Sequence, residues 1–273
     1  MTGNGHGRGA RYAALFARLK EAGEGAFIPF AMLGDPDPDR SLALVRSLVR
    51  AGADALEAGL PFSDPVADGP VIQAAATRAL AAGVRRADCW SILRETRREF
   101  PDLPIGLLVY ANLVCHRDPA EFYGAAAEAG VDSVLVADLP VLESASVARA
   151  ARAAGIAPVF IAPPNADDDR LRAIAAASEA YTYVTSREGV TGTDERLKRD
   201  QSGLIARLKE LGAPPPVLGF GIATPAHVKS ALAMGAAGAI SGSAVVRLAA
   251  EGGDVERFVR EMKGATSRQS SRA

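Results

Sequence analysis

The 273-residue chain is poor in the residue types that carry metal, redox or nucleic-acid chemistry. It has two cysteines, Cys89 and Cys115, too few for a disulfide scaffold and without metal-site spacing, so both are expected to be small buried hydrophobes in a reducing compartment. The three histidines, His6, His116 and His227, fall in a tail, a loop and a helix start, so no metal cluster is expected. Aromatic residues make up 5% of the chain, which argues against an extensive base-stacking surface. Its 31 basic and 32 acidic residues leave a net charge of −1, giving no electrostatic reason to expect nucleic acid or an anionic membrane as a partner. No apolar run is long enough to predict a membrane-spanning helix. Met1 to Arg11 is Gly-rich and polar, without the apolar segment of a secretory signal, so the cytoplasm is the default location. Neither GxxxxGK[ST] nor an early GxGxxG occurs, which excludes the usual loops for a nucleoside triphosphate or dinucleotide.

What the chain does have is alternation. Apolar positions 12, 15, 16 and 19 predict a helix over 12–21 ahead of the main fold. Short apolar runs at 26–32, 53–58, 105–110, 131–137, 156–162, 180–185, 217–220 and 237–240 read as strands, each leading to a helical stretch. The second leads to two helices, 71–82 and 87–100. Glycine closes a helix just before a strand at Ala51-Gly-Ala, Ala129-Gly-Val and Met234-Gly-Ala. Eight such units in one stretch without a linker predict an α/β fold of the (β/α)8 barrel type, with an extra N-terminal helix and an extra helix after strand 2. An open doubly wound sheet is the alternative with the same periodicity. The expected organisation is a disordered tail over 1–11, one barrel domain over 12–263 and a disordered tail over 264–273.

The most informative stretch is Leu56-Glu-Ala-Gly-Leu-Pro-Phe-Ser-Asp-Pro-Val-Ala-Asp-Gly69. Glu57 ends an apolar strand, where burial is costly unless the carboxylate has a task. Asp64 and Asp68 follow in a loop shaped by proline and glycine. Glu57 suits proton transfer at a raised pKa better than metal binding. Two glycine signatures, Gly219-Phe-Gly-Ile222 and Ser241-Gly-Ser243, end strands 7 and 8, where barrels commonly seat phosphate on backbone N–H groups and a helix start. Gly221, Gly242 and Ser243 are the candidate donors, and Gly189-Val-Thr-Gly192 could close the seat from the neighbouring strand. Between the two halves stand Phe30, Leu108, Tyr110, Leu135, Tyr183, Phe220 and Ile240, suited to a flat apolar group. Asp138, at the end of strand 4, is a further possible polar member. No predicted strand contains lysine, which argues against Schiff-base chemistry.

These stretches resemble the tryptophan synthase α-subunit family. The similarity runs collinearly over roughly residues 10–262 and includes Leu56 to Gly69, Tyr110-Ala-Asn-Leu-Val114, Pro163 to Asp169, Tyr181-Thr-Tyr183, Gly189 to Gly192, Gly219 to Ile222 and Gly238 to Ser243. The resemblance implies a (β/α)8 lyase that cleaves indole-3-glycerol phosphate to indole and glyceraldehyde 3-phosphate for tryptophan biosynthesis. It implies no cofactor in this chain, with pyridoxal phosphate belonging to a β partner in an α2β2 complex. By resemblance, Glu57 is the acid/base and Asp68 takes the indole N–H. Tyr183 lines the pocket, and Gly192, Gly221, Gly242 and Ser243 bind phosphate. The stretch from Ser186 to about Asp200 is the mobile lid, in which Thr191 meets Asp68, and Pro61 and Asp64 face the partner. The chain departs from the common pattern in Thr193-Asp-Glu-Arg-Leu-Lys-Arg-Asp-Gln-Ser-Gly203, Cys115-His116 and Met32. A stand-alone lyase releasing free indole and a non-catalytic partner-binding barrel are the competing expectations.

Overall fold

The computed structural model describes residues 7–185 and 200–267. Helix α1 (Ala10–Glu21) precedes β1 (Ala26–Met32), α2 (Pro38–Arg50) and β2 (Leu56–Gly59). Two helices, α3 (Pro70–Ala81) and α4 (Arg86–Glu99), follow before β3 (Ile105–Val109), the short α5 (Ala111–Cys115), α6 (Pro119–Glu128) and β4 (Ser133–Val136). A 3-10 turn (Val141–Glu143) and α7 (Ala145–Ala153) lead to β5 (Ala157–Val159), β6 (Ile161–Ala162) and α8 (Asp168–Ala177). The rest is β7 (Thr182–Thr185), α9 (Ser202–Glu210), β8 (Pro216–Gly219), α10 (Pro225–Ala233), β9 (Gly238–Ser241), α11 (Ser243–Ala250) and α12 (Val255–Gly264).

All strand pairs are parallel, in the order β5-β4-β3-β2-β1-β9-β8-β7-β6. The two ends of that order are halves of one strand, interrupted only at Phe160. The first half pairs with β4 and the second with β7, so the sheet closes into a ring of eight. Register fixes its geometry. From Phe30 the pairing runs through Glu57, Gly106 and Ser133 to Ala157. Four residues further along the strand, Ile161 leads through Tyr183, Val217 and Gly238 back to Ala26, four residues before Phe30. The slip of eight per circuit is the shear of a (β/α)8 barrel, not of an open sheet.

Alternation along each strand then decides what faces inward. Leu56, Ala58, Leu107, Val134, Val184, Leu218 and Ala239 pack against the helices, whereas Ile28, Leu135, Val159, Tyr181, Tyr183, Val217 and Ile240 fill the barrel. Tyr12, Leu15 and Leu19 of α1 join the inner cluster and stop the end formed by the strand N-termini. Burying three such side chains contributes roughly 2 kcal/mol each. The opposite end is left for the loops that follow the strands.

Several expected boundaries move. The second strand begins at Leu56 rather than Ala53, because Ala53 and Asp54 are the approach from α2, with the Asp54 carboxylate accepting the Phe27 N–H at 2.9 Å. Pro29 is tolerated in β1 because it is the last residue paired to β9, directly before the residues paired to β2. Asp37 caps α2 by accepting from the Arg40 N–H, while Ser41 Oγ accepts from the Gly34 N–H. The expected final helix is two, α11 and α12, parted at Gly252-Gly253. Order begins before residue 12 and continues past residue 263. Arg11 in α1 pairs with Asp132, Ala265 and Thr266 are buried, and Ser267 bridges to Glu24. Cys89 is buried as expected, but Cys115, at the end of the five-residue α5, is exposed.

Candidate active site

At the C-terminal mouth of the barrel is a partly open cavity. Glu57, pointing inward from β2, and Asp68, in the loop before α3, both line it. So do Phe30, Leu108, Tyr183, Phe220 and Ile240 of the expected apolar wall, and Gly221, Gly242 and Ser243 of the expected seat. Thr191 and Gly192 lie outside the described residues, as does most of the expected lid.

Close packing explains how the wall is built. A Cβ on Gly219 would stand 2.1 Å from the Tyr183 hydroxyl, and one on Gly59 2.6 Å from the Phe30 ring. Both glycines therefore make room for aromatic rings that lie across their strands. Tyr183 and Phe220 meet edge to face at 6.3 Å.

The two carboxylates differ in their surroundings. Burial pushes Glu57 up to about 8; the Tyr181 hydroxyl, donating to Glu57 Oε1 at 3.1 Å, opposes the shift, and the charge of Asp68 adds to it. Burial likewise pushes Asp68 up to about 6, opposed by a hydrogen bond from Tyr110. Near neutrality the site thus holds a protonated Glu57 and an ionised Asp68, an acid beside an acceptor.

The other pole of the cavity is made of backbone. Gly242 is the N-cap of α11, and the helix's first N–H groups have no intrahelical acceptor. They carry the positive end of the helix dipole to the cavity wall at Ser243 and Ala244. Beside them, after the neighbouring strand β8, Phe220 and Gly221 are consecutive left-handed residues, with φ 73° and 76°, a conformation that a non-glycine residue such as Phe220 adopts only when its surroundings hold it. No lysine or arginine is among the described residues that line the cavity, so an anion there would be held by N–H dipoles and the Ser243 hydroxyl.

Three expected members are placed elsewhere. Tyr110 braces the loop from behind, accepting the Ala67 N–H at 3.2 Å, bonding Asp68 and stacking on Phe62 at 5.3 Å. Leu135, one strand beyond Leu108, packs into the inner cluster with Tyr12 and Val159 instead of lining the cavity. Asp138 accepts the Ala111 N–H at 2.7 Å and belongs to the neighbouring loop. Pro61 is half-buried and Asp64 exposed on the loop that carries Asp68, outside the cavity. Ile72, Ile222, Ala223 and Ala244 line the cavity without having been singled out. Tyr181 was also missed as a partner of Glu57, although its two-residue spacing from Tyr183 put both on the inner face. Among the described residues no group of His, Cys, Asp and Glu is placed to hold a metal, and no helix is long and apolar enough to cross a membrane.

Comparison with known proteins gives the family. The profile of the family described as "Tryptophan synthase alpha chain" matches residues 16–271. The chain belongs to that family. A tryptophan synthase alpha chain of Pectobacterium atrosepticum is 54% identical over 264 residues, covering 94% of this chain and 98% of the relative. Among solved structures of the family, Mycobacterium tuberculosis tryptophan synthase superposes with a TM-score of 0.86 at 28% identity, covering 94% of this chain and 98% of that one. The tryptophan synthase α2β2 complex of Pyrococcus furiosus gives 0.79 at 34% identity, covering 88% and 98%.

Proposed function

We propose that Glu57 and Asp68 are the acid–base pair of a lyase that cleaves indole-3-glycerol phosphate into indole and glyceraldehyde 3-phosphate, the reaction of the tryptophan synthase alpha chain. The observation that carries the assignment is one cavity with two buried carboxylates at one end and a helix N-terminus at the other. The indole ring lies between Phe30, Leu108, Tyr183 and Ile240, its N–H donating to Asp68, and the phosphate sits against Gly221, Gly242 and Ser243. The bond to be broken joins ring carbon C3 to the glycerol chain, so C3 must first become tetrahedral. Protonated Glu57 delivers that proton. Positive charge spreads to the ring nitrogen, where ionised Asp68 stabilises it. Glu57, now a carboxylate, takes the proton of the hydroxyl beside the breaking bond. The carbonyl of glyceraldehyde 3-phosphate forms, and the bonding electrons return to the ring as indole leaves. A single group serves both steps because its pKa lies near the operating pH. The phosphate seat supplies remote binding energy and orientation.

Purified chain given indole-3-glycerol phosphate is expected to release indole and the triose phosphate in equal amounts; no indole, alone or with a β subunit, would overturn the assignment. The protonation states make a second test. With Asp68 required as the anion and Glu57 as the acid, kcat/KM is expected to rise through about 6 and fall through about 8, a bell belonging to the coupled pair. A pH-independent kcat/KM between 5 and 9 would contradict it.

The loop that bears Asp68 also bears the surface offered to a partner. Asp64 is exposed, and Val66 is 70% exposed beside the mouth. We assign this face, with Pro61, to a tryptophan synthase β subunit. Added β subunit is expected to raise turnover more than tenfold, as seating the loop would set the Asp68 carboxylate. Unchanged turnover with saturating β subunit would instead identify a stand-alone lyase.

A further inference from the structure

One peptide group beside the cavity is gripped at both of its polar atoms by side chains from different elements. Ser241 Oγ, at the end of β9, donates to the Ile222 carbonyl at 2.7 Å. The N–H of the same peptide unit, on Ala223, donates to His227 Nδ1 at 3.2 Å. Ser241 is fully buried, and His227 is 9% exposed in the first turn of α10. The acid–base steps use neither residue.

The gripped peptide ends the turn that begins with left-handed Phe220 and Gly221, and Phe220 to Ala223 all line the cavity next to Gly242 and Ser243. A peptide unit in such a turn can rotate about its flanking bonds, exchanging the directions of its carbonyl and its N–H. At an anion seat made of backbone that exchange matters, because a carbonyl dipole turned inward repels the charge that an N–H dipole attracts. In the observed orientation the Ile222 carbonyl is tied to β9. His227 can accept at Nδ1 only as neutral imidazole with its proton on Nε2. The His227 backbone N–H is anchored to Thr224 Oγ1 at 3.3 Å, which holds the first turn of α10, and with it the imidazole, in place.

We propose that Ser241 and His227 clamp the Ile222–Ala223 peptide so that its carbonyl stays out of the phosphate seat, making both of them positioning residues for the phosphate end of the substrate. The inference rests on the reading of the late-strand loops as that seat. It assigns the clamp to substrate binding and not to bond cleavage, which the carboxylates carry out at the other end of the cavity.

The test uses the full-length chain, with wild type compared with His227→Leu, His227→Gln and Ser241→Ala. Turnover of indole-3-glycerol phosphate is measured with and without inorganic phosphate, and thermal unfolding is recorded for each variant. In wild type, inorganic phosphate is expected to compete with substrate. His227→Leu is expected to raise KM and the phosphate inhibition constant together by about tenfold, the effect of losing one orienting hydrogen bond, while kcat changes less than about twofold. His227→Gln restores both constants towards wild type, since its amide oxygen can accept the same N–H. Ser241→Ala moves them in the same direction as His227→Leu. Competitive phosphate inhibition with constants unchanged in His227→Leu refutes the clamp and leaves the seat standing. Equal impairment of the Leu and Gln variants, in step with a lowered Tm, also refutes it, since that is what a purely structural histidine would give. Absence of phosphate competition in wild type removes the seat, and the clamp with it.

Discussion

Glu57→Gln is expected to lower turnover by at least about a thousandfold, because one side chain gives a proton to carbon and then takes one from oxygen, and the amide does neither. The fold should survive. Gln keeps an acceptor for the Tyr181 hydroxyl that now donates to Glu57 Oε1 and is, like the protonated acid it replaces, uncharged. Stability supplies an independent reading of the same residue. Glu57 is raised from its ordinary value of 4.5 to about 8 in the folded chain, so between those pH values the native state holds a proton that the unfolded chain has lost. Stability contributed in this way is complete below about 4.5 and is lost as pH rises through about 8. The Gln variant has no such dependence. Its stability relative to wild type is expected to grow from pH 5 to pH 9, by an amount on the order of a few kcal/mol. Denaturant unfolding at the two pH values measures it. A variant that matches wild type in turnover would exclude Glu57 as the proton donor; equal stability differences at both pH values would mean that its carboxyl is not held protonated.

The carboxylates and the late glycines were legible in the sequence because each breaks a local rule. A charge at the end of an apolar strand and glycines where strands end both ask for an explanation that packing does not give. The barrel was legible from eight apolar runs, though only the register closed the ring. What could not be read depends on distance in space. Tyr181 reaches Glu57 from four strands further round the barrel, the opposite side of the ring, and nothing near either residue announces the other. Ile72 enters the cavity from α3, where the same residue would ordinarily be core against the sheet. Tyr110 and Leu135 erred in the other direction. Tyr110, just past the end of β3, is engaged by the Asp68 loop, and Leu135, in β4, by the α1 stopper. Alternation gives the face of a strand but not the depth along the barrel axis. The interruption at Phe160 was likewise invisible within one continuous apolar run.

Asp132→Ala is expected to have the largest effect on stability, a loss of about 3–5 kcal/mol in denaturant unfolding. Asp132 is 8% exposed, and its carboxylate accepts from Arg11 Nη1 at 2.7 Å, Arg97 Nη2 at 2.7 Å and the Ile105 N–H at 2.8 Å. Truncation leaves two guanidinium groups, each 12% exposed, without their counter-charge. Arg97 retains carbonyl acceptors at Gly130 and Leu103, but these cannot neutralise a cation that burial already disfavours. The contrasting variant is Arg18→Ala. Arg18 is 64% exposed and stands 3.6 Å from Asp54, which Lys263 also pairs at 2.9 Å, so its removal should cost no more than about 0.5 kcal/mol. The difference between the two acidic sites is one of position. Asp132 ties α1 to the start of β4, and the same helix places Tyr12 against Tyr181 at 5.4 Å, the ring whose hydroxyl holds Glu57. If Asp132→Ala lost no more stability than Arg18→Ala, α1 would be an ornament on the barrel, not the stopper beneath its acid.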